Sequence, residues 1–272
     1  IPRILMWGLL QSETCAMLGV PKLGLWHSAY RPFLRTGARL LNRKKSAVFQ
    51  GLPETARLHF DLQRPETWIN IPIEADIVWC FPAMPLDLVG PCAEALKAKE
   101  RRLVVLGSTS AYDTGESHHY PPPWLDETAP IDLSRPRVQG EEYLRKEQGA
   151  IVLRVAGIYG PDRNPLSWIK AGKVGPSRRF VNLIHVEDLA DICLLALEKG
   201  GRGEVYNVSD GAPRTWEEIC IAARDRWGVS SPTRTGAQEP GKRIDTRKLR
   251  DGLPIRLGHP DLYESLESLS QN

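Results

Sequence analysis

The chain lacks most of what marks a secreted, membrane-spanning or metal-stapled protein. Its five cysteines (Cys15, Cys80, Cys92, Cys193 and Cys220) are odd in number, far apart and form no C-x-x-C pair. That pattern argues against a disulfide framework or a zinc knuckle and fits a reducing compartment, either cytoplasm or an organelle stroma or matrix. No apolar run approaches the roughly 20 residues that a membrane helix needs, so no membrane partner is expected. Net charge is only +3. The basic stretches Arg43-Lys44-Lys45 and 97–102 are short, whereas nucleic-acid binders concentrate cationic charge on one face. A nucleic-acid partner is therefore disfavoured, and RNA binding through basic loops is the weakest alternative. Neither an internal repeat nor a low-complexity segment is found. The chain opens on Ile1 rather than Met, which suggests a trimmed N-terminus and is compatible with a removed transit peptide.

What is present is an ordinary globular composition, with 42% hydrophobic and 25% charged residues over 272 positions. That length allows one large domain, or a core with a smaller substrate-binding portion. Short β-branched or apolar runs at 3–8, 38–41, 56–61, 75–81, 102–106 and 150–155 read as strands. Helical spacing appears at 91–100 and 136–148. This alternation is the signature of an α/β protein with a parallel sheet and crossover helices. Such sheets bind ligands outside the carboxyl ends of their strands, where the strand order reverses. Residues 166–272 read differently, with a helix at 186–198, a short strand at 204–208 and a helix from 215. The expected division is a core at 1–165 and a mixed C-terminal lobe at 166–272, packed as one compact unit.

From residue 56 onward an ordered series of motifs appears: HFDLQRPETW, LVVLGSTSAYDTGE, ETAPIDL, VLRVAGIYGPDR, NLIHVEDLADICLLAL, EVYNVSDGAP and GKRIDTRKLR. In this order they resemble the extended and atypical short-chain dehydrogenases/reductases, the NAD-dependent epimerase/dehydratase group. The resemblance implies a Rossmann-type doubly wound parallel sheet with a smaller C-terminal substrate lobe. It also implies a nicotinamide dinucleotide cofactor and a small-molecule or nucleotide-linked substrate.

In that architecture the first strand runs into a G-x-G-x-x-G turn, whose glycines let the backbone reach the pyrophosphate. Here the turn reads Gly8-Leu9-Leu10-Gln11-Ser12-Glu13 and keeps only the first glycine. Two readings of residues 9–37 stand side by side. Either an altered turn holds pyrophosphate, with Ser12 or Thr14 donating hydrogen bonds, or dinucleotide binding is weak or lost and the segment is a structural replacement. After the second strand come Asn42 and Arg43-Lys44-Lys45. Basic residues there suit the extra phosphate of NADP, where an acidic one would take the ribose hydroxyls of NAD. NADP is therefore preferred over NAD, with a solvated basic turn as the plain alternative. The resemblance places Asp61 at the adenine amino group, Phe81 and Pro82 along the adenosine ribose, and Gly107 beside the cofactor.

Members of the group use Ser/Thr, Tyr and Lys together, with a tyrosinate as base and a lysine that lowers its pKa. Ser108 occupies the serine position. The Y-x-x-x-K pair falls on Leu133 and Arg137. Leucine cannot carry a proton, and a guanidinium keeps its charge for ribose or phosphate without joining a proton relay. The standard Tyr-Lys pair is thus absent from the expected positions. Tyr112, Tyr159 and His185 are substitute acids on nearby loops, with Tyr159 and His185 also candidate substrate residues. Each has a plain structural alternative: aromatic packing for the tyrosines and a helix start for His185. Arg179, within Arg178-Arg179, and the pair Lys242-Arg243 are candidates for an anionic substrate group, with surface solvation as the alternative. The pair His118-His119 has no carboxylate or cysteine at ligand spacing, and no metal site is expected. The functional expectation is an NADP-dependent oxidoreductase or epimerase acting on a sugar-like or other small carbonyl. The alternative is a catalytically silent scaffold or redox-sensing subunit.

Overall fold

A computed structural model describes residues 3–7, 39–42, 57–97, 101–113, 119–161, 163–232 and 240–270. Its strands are β1 (Arg3–Trp7), β2 (Arg39–Asn42), β3 (Arg57–His59), β4 (Ala75–Trp79), β5 (Leu103–Ser108), β6 (Trp124–Leu125) and β7 (Ile151–Val155). They continue with β8 (Gly157–Tyr159), β9 (Phe180–Val181), β10 (Leu183–His185), β11 (Val205–Val208), β12 (Arg214–Thr215) and β13 (Arg243–Ile244). The helices are α1 (Leu86–Ala95), α2 (Pro136–Gln148), α3 (Pro165–Lys170), α4 (Val186–Lys199), α5 (Trp216–Trp227), α6 (Arg247–Gly252) and α7 (Leu262–Ser270).

The main sheet is parallel throughout, in the order β11-β7-β5-β4-β1-β2-β3. Leu5 of β1 pairs with Arg39 on one side and Ile77 on the other. The strand order therefore reverses between β1 and β4, the Rossmann-type arrangement, in which ligands bind at the carboxyl ends of the strands. Central strands such as β7 (IVLRV) are buried along their whole length. Near-continuous apolar runs follow from covering a parallel sheet on both faces. One face packs Val104, Leu106, Ile151 and Leu153 beneath Leu189, Ile192 and Ala196 of α4. The other packs Ile77, Trp79, Val105 and Val152 with Val89 of α1 and Leu144 of α2. A third cluster joins Tyr159, Ile169, Ile219, Leu262 and Leu266 away from the sheet.

The expected helix at 136–148 coincides with α2, and its ends explain why. Pro136 supplies a preset φ at a position whose N–H would be unpaired anyway, and Gly149 closes the helix at φ 62°. Helix α1 differs from the expected 91–100: Pro91, which signals a helix start in sequence, lies inside it. The C-terminal lobe also contributes a strand to the main sheet. The short strand expected there is β11, which pairs with β7 (Tyr206↔Leu153) and completes the edge of the main sheet. Helix α4 lies on the sheet face as its crossover. The sheet thus crosses the expected boundary after residue 165, because β7 would otherwise leave a row of unpaired backbone groups. Cys80, Cys92, Cys193 and Cys220 are buried. Among the described residues, no helix is long and apolar enough to cross a membrane.

Candidate functional site

The segment after β4 lies at the carboxyl end of the sheet, where the resemblance expects the adenosine. Phe81 stacks on Trp79 with centroids 4.6 Å apart, and Pro82 is half-buried beside it. Asn42 ends β2 in register with His59; its side chain, like Gly8, Ser12 and Arg43, lies outside what the structure describes. Asp61 follows β3 and is buried. Its carboxylate accepts the Gln63 N–H (3.0 Å), and its backbone carbonyl accepts Trp68 Nε1–H (3.0 Å). That carboxylate therefore tightens its own turn, a local role that the adenine assignment had not included.

Strand β5 delivers Gly107 and Ser108 to the carboxyl end of the sheet. The Ser108 hydroxyl is half-buried and accepts the Ser110 N–H at 3.1 Å, the geometry of a short side-chain-stabilised turn. Arg137 reaches the same strand end. Its Nε donates to Glu141 Oε1 (2.8 Å) one helical turn on, and its Nη2 donates to the Leu106 carbonyl (2.8 Å). A Cβ at Gly107 would come 2.7 Å from Glu141 Oε2, so the glycine makes room for the carboxylate that aims Arg137. Burial nevertheless raises the Glu141 pKa above the usual carboxylate value, and the Arg137 charge opposes that rise. Leu133, at the expected tyrosine position, is 53% exposed. The structure therefore brings Gly107, Ser108 and Arg137 together and puts no proton carrier at Leu133.

Tyr112, the expected substitute acid, is buried and hydrogen-bonded. Its hydroxyl donates to Asn207 Oδ1 at 2.6 Å, and the ring lies 4.9 Å from the Arg154 guanidinium. Asn207 Nδ2 in turn donates to the Asp245 carbonyl (3.1 Å), while the Asn207 N–H donates to Glu127 Oε1 (2.7 Å). Burial pushes the Tyr112 hydroxyl above its ordinary pKa, opposite to what a tyrosinate base requires. Its hydroxyl is committed to a buried network under the strand ends. Tyr159 is likewise fully buried, with its pKa pushed up to about 12 by burial.

In the C-terminal lobe Tyr159 and His185 face each other across the β8–β10 pair, edge to face at 5.2 Å. His185 is buried at the start of α4, where its Nδ1 accepts the Glu187 N–H (3.3 Å). Burial, helped by neighbouring His259, lowers its pKa to about 3. Arg179 is exposed, and its carbonyl receives the Trp216 N–H (3.1 Å). Lys242 has a role that sequence reasoning missed. Its Nζ donates to the carbonyls of Tyr112 (2.7 Å) and Thr109 (3.2 Å), tying the lobe to the Ser108 turn. Arg135 adds a second tie, donating to the Ser110 carbonyl at 2.9 Å. Around them Arg178 lies 3.7 Å over the Tyr120 ring, and Arg243 lies 5.1 Å over Trp124. Of these contacts, two carried a sequence signal: Arg137–Glu141, from the i,i+4 spacing of opposite charges, and the His185 cap, from its place at a helix start.

No family model matches the chain. Protein YeeZ of Escherichia coli strain K12 is 27% identical over 176 residues, 61% of this chain and 62% of that protein. The chain thus spans less than two thirds of that relative's length. A candidate NAD-dependent epimerase/dehydratase from Methylobacillus flagellatus superposes with a TM-score of 0.74 at 22% identity, over 99% of this chain and 98% of that one. The Bordetella bronchiseptica enzyme WbmG, solved with NAD and UDP, gives a TM-score of 0.69 at 17% identity, over 99% and 94%. From the strand order and these likenesses, the chain has the Rossmann-type α/β fold of the NAD-dependent epimerase/dehydratase-like proteins that its motifs resemble.

Proposed function

We propose that the chain is an NAD(P)-binding oxidoreductase or epimerase of the epimerase/dehydratase type, acting on a sugar-like or other small carbonyl, free or nucleotide-linked. The observation that carries this is the reversal of strand order between β1 and β4, beside the strand end that presents Ser108 and Arg137. The described part of the site fits a dinucleotide: an apolar wall at Phe81 and Pro82, a hydroxyl, and a cation fixed at two points. When bound, the nicotinamide would supply or accept a hydride. Ser108 would donate a hydrogen bond to the substrate oxygen, and the Arg137 guanidinium would stabilise negative charge on ribose, phosphate or that oxygen. Proton transfer is assigned to solvent or to a substrate hydroxyl, since Leu133 carries no proton, the Tyr112 hydroxyl is bonded to Asn207 and Tyr159 is fully buried. NADP is preferred over NAD on the basic residues from Arg43, although neighbours such as WbmG are solved with NAD.

The test is direct titration of the protein with NADH and NADPH, followed by nicotinamide fluorescence. NADPH should bind more tightly, and a panel of nucleotide sugars should then show hydride exchange. Absence of binding by either cofactor at millimolar concentration overturns the reading. A catalytically silent cofactor holder is the second reading, favoured by the exposed Leu133 and the pinned Arg137. It predicts binding with no hydride exchange on any member of the panel.

A further inference from the structure

Helix α4 opens on a cluster that the proposed nucleotide site does not use. His185 caps the helix and Glu187 stands in its first turn. Asp188, buried beside them, grips the chain 70 residues further on: its carboxylate accepts the N–H of Gly258 (2.7 Å) and of His259 (3.1 Å). This grip sets the His259 ring against His185, with centroids 3.6 Å apart, and its Nε2 within 3.2 Å of Glu187 Oε2. One nitrogen of each imidazole and one oxygen of Glu187 all lie within 4.8 Å of one another.

We propose that His185, Glu187 and His259 bind one divalent transition-metal ion of the zinc class, clasping the start of α4 to the segment that leads into α7. Two imidazoles and a carboxylate are a nitrogen-rich set that suits zinc, whereas magnesium and calcium prefer oxygen cages. Zinc bonds to such ligands are about 2.1 Å long, so the donors must draw together around the ion. Two of the three can move, because the His259 and Glu187 side chains are 30% and 39% exposed. Capture turns the His259 ring out of its stack, so that the two ring nitrogens converge on one point. His185 Nδ1 holds only a long 3.3 Å hydrogen bond from the Glu187 N–H. A metal bond through that lone pair replaces it and leaves the proton on Nε2 in place. Water fills the remaining coordination. Asp188 acts as a positioning residue: it touches no ion but holds the loop that presents His259.

The full chain, stripped with a chelator, is titrated with zinc against a chromophoric competitor, and separately with cobalt(II). One equivalent should bind, and cobalt should develop the intense visible bands of low coordination number. H259Q and E187Q, both at partly exposed positions, should keep their circular dichroism and weaken zinc by at least about tenfold. D188N should lose about tenfold or more with all three ligands present. Equal zinc affinity in wild type, H259Q and E187Q overturns the proposal. So does failure of the wild type to take up one equivalent, which would identify the cluster as a stacked histidine pair hydrogen-bonded to Glu187.

Discussion

Asn207 holds together groups from three other parts of the chain, which makes it more than an edge-strand residue. It accepts the Tyr112 hydroxyl, donates to the Leu125 and Asp245 carbonyls, and binds the Glu127 carboxylate through its backbone N–H. Asn207→Ala leaves several buried polar groups unpaired and should cost about 3 kcal/mol in urea unfolding. Tyr112→Phe removes one hydroxyl from the same network and should cost about 1 kcal/mol with cofactor binding unchanged. A Tyr112→Phe protein of full stability that cannot turn over substrate would restore Tyr112 to the chemistry. Asp132 gives a pH-dependent counterpart. Hydrogen bonds from Ser134, then from Arg135, lower its pKa to about 2 from an ordinary 3.8. The folded form is the weaker proton binder, so its contribution is full above about pH 4 and is lost as pH falls through about 2. Wild type and Asp132→Asn should therefore differ in melting temperature at pH 5 and converge towards pH 2.

At the scale of elements, α2 is the part on which the cleft depends. Gly140 lies so close to the loop after β4 that an added Cβ would overlap the Ala83 carbonyl oxygen. Gly140→Ala should destabilise by about 3 kcal/mol through overpacking. It should also weaken cofactor binding, since the displaced loop carries Phe81 and Pro82; full stability with unchanged affinity would contradict the packing argument. The bounds of α2 were legible because Pro136, Gly149 and the charged last turn are local signals. The tie between Lys242 and the Ser108 turn was not, since 130 residues separate Lys242 from Tyr112. In sequence Lys242-Arg243 is a short basic pair like any other. Only the return of the chain past β13 makes one of them a clamp.

Across the whole molecule, the two sheet faces and the lobe have separate apolar clusters. Leu266 of α7 is fully buried in the lobe cluster. Leu266→Ala should cost about 3 kcal/mol. Its effect on cofactor affinity should stay within about twofold, since the proposed cofactor site lies at the carboxyl ends of β1 and β4 and distant sites act nearly independently. Calorimetric titration of the variant checks this, and a large loss of affinity would mean that the lobe and that site are energetically one. The strand order of the main sheet was only partly legible. Apolar runs identified β4, β5 and β7, but nothing local told that β11 would cross the expected boundary to pair with β7.

What the sequence determined by itself was local: strands from apolar runs, and the ends of α2 from proline and glycine. These rest on periodicity and side-chain chemistry, which need no partner. The tertiary structure decided everything that depends on distance in space. It buried Tyr112 against Asn207, aimed Arg137 through Glu141, and brought His259 to His185 and Glu187. A residue's partners set its hydrogen bonds, its solvation and so its protonation, and partners far apart in the chain meet only when the sheet and its crossovers have formed.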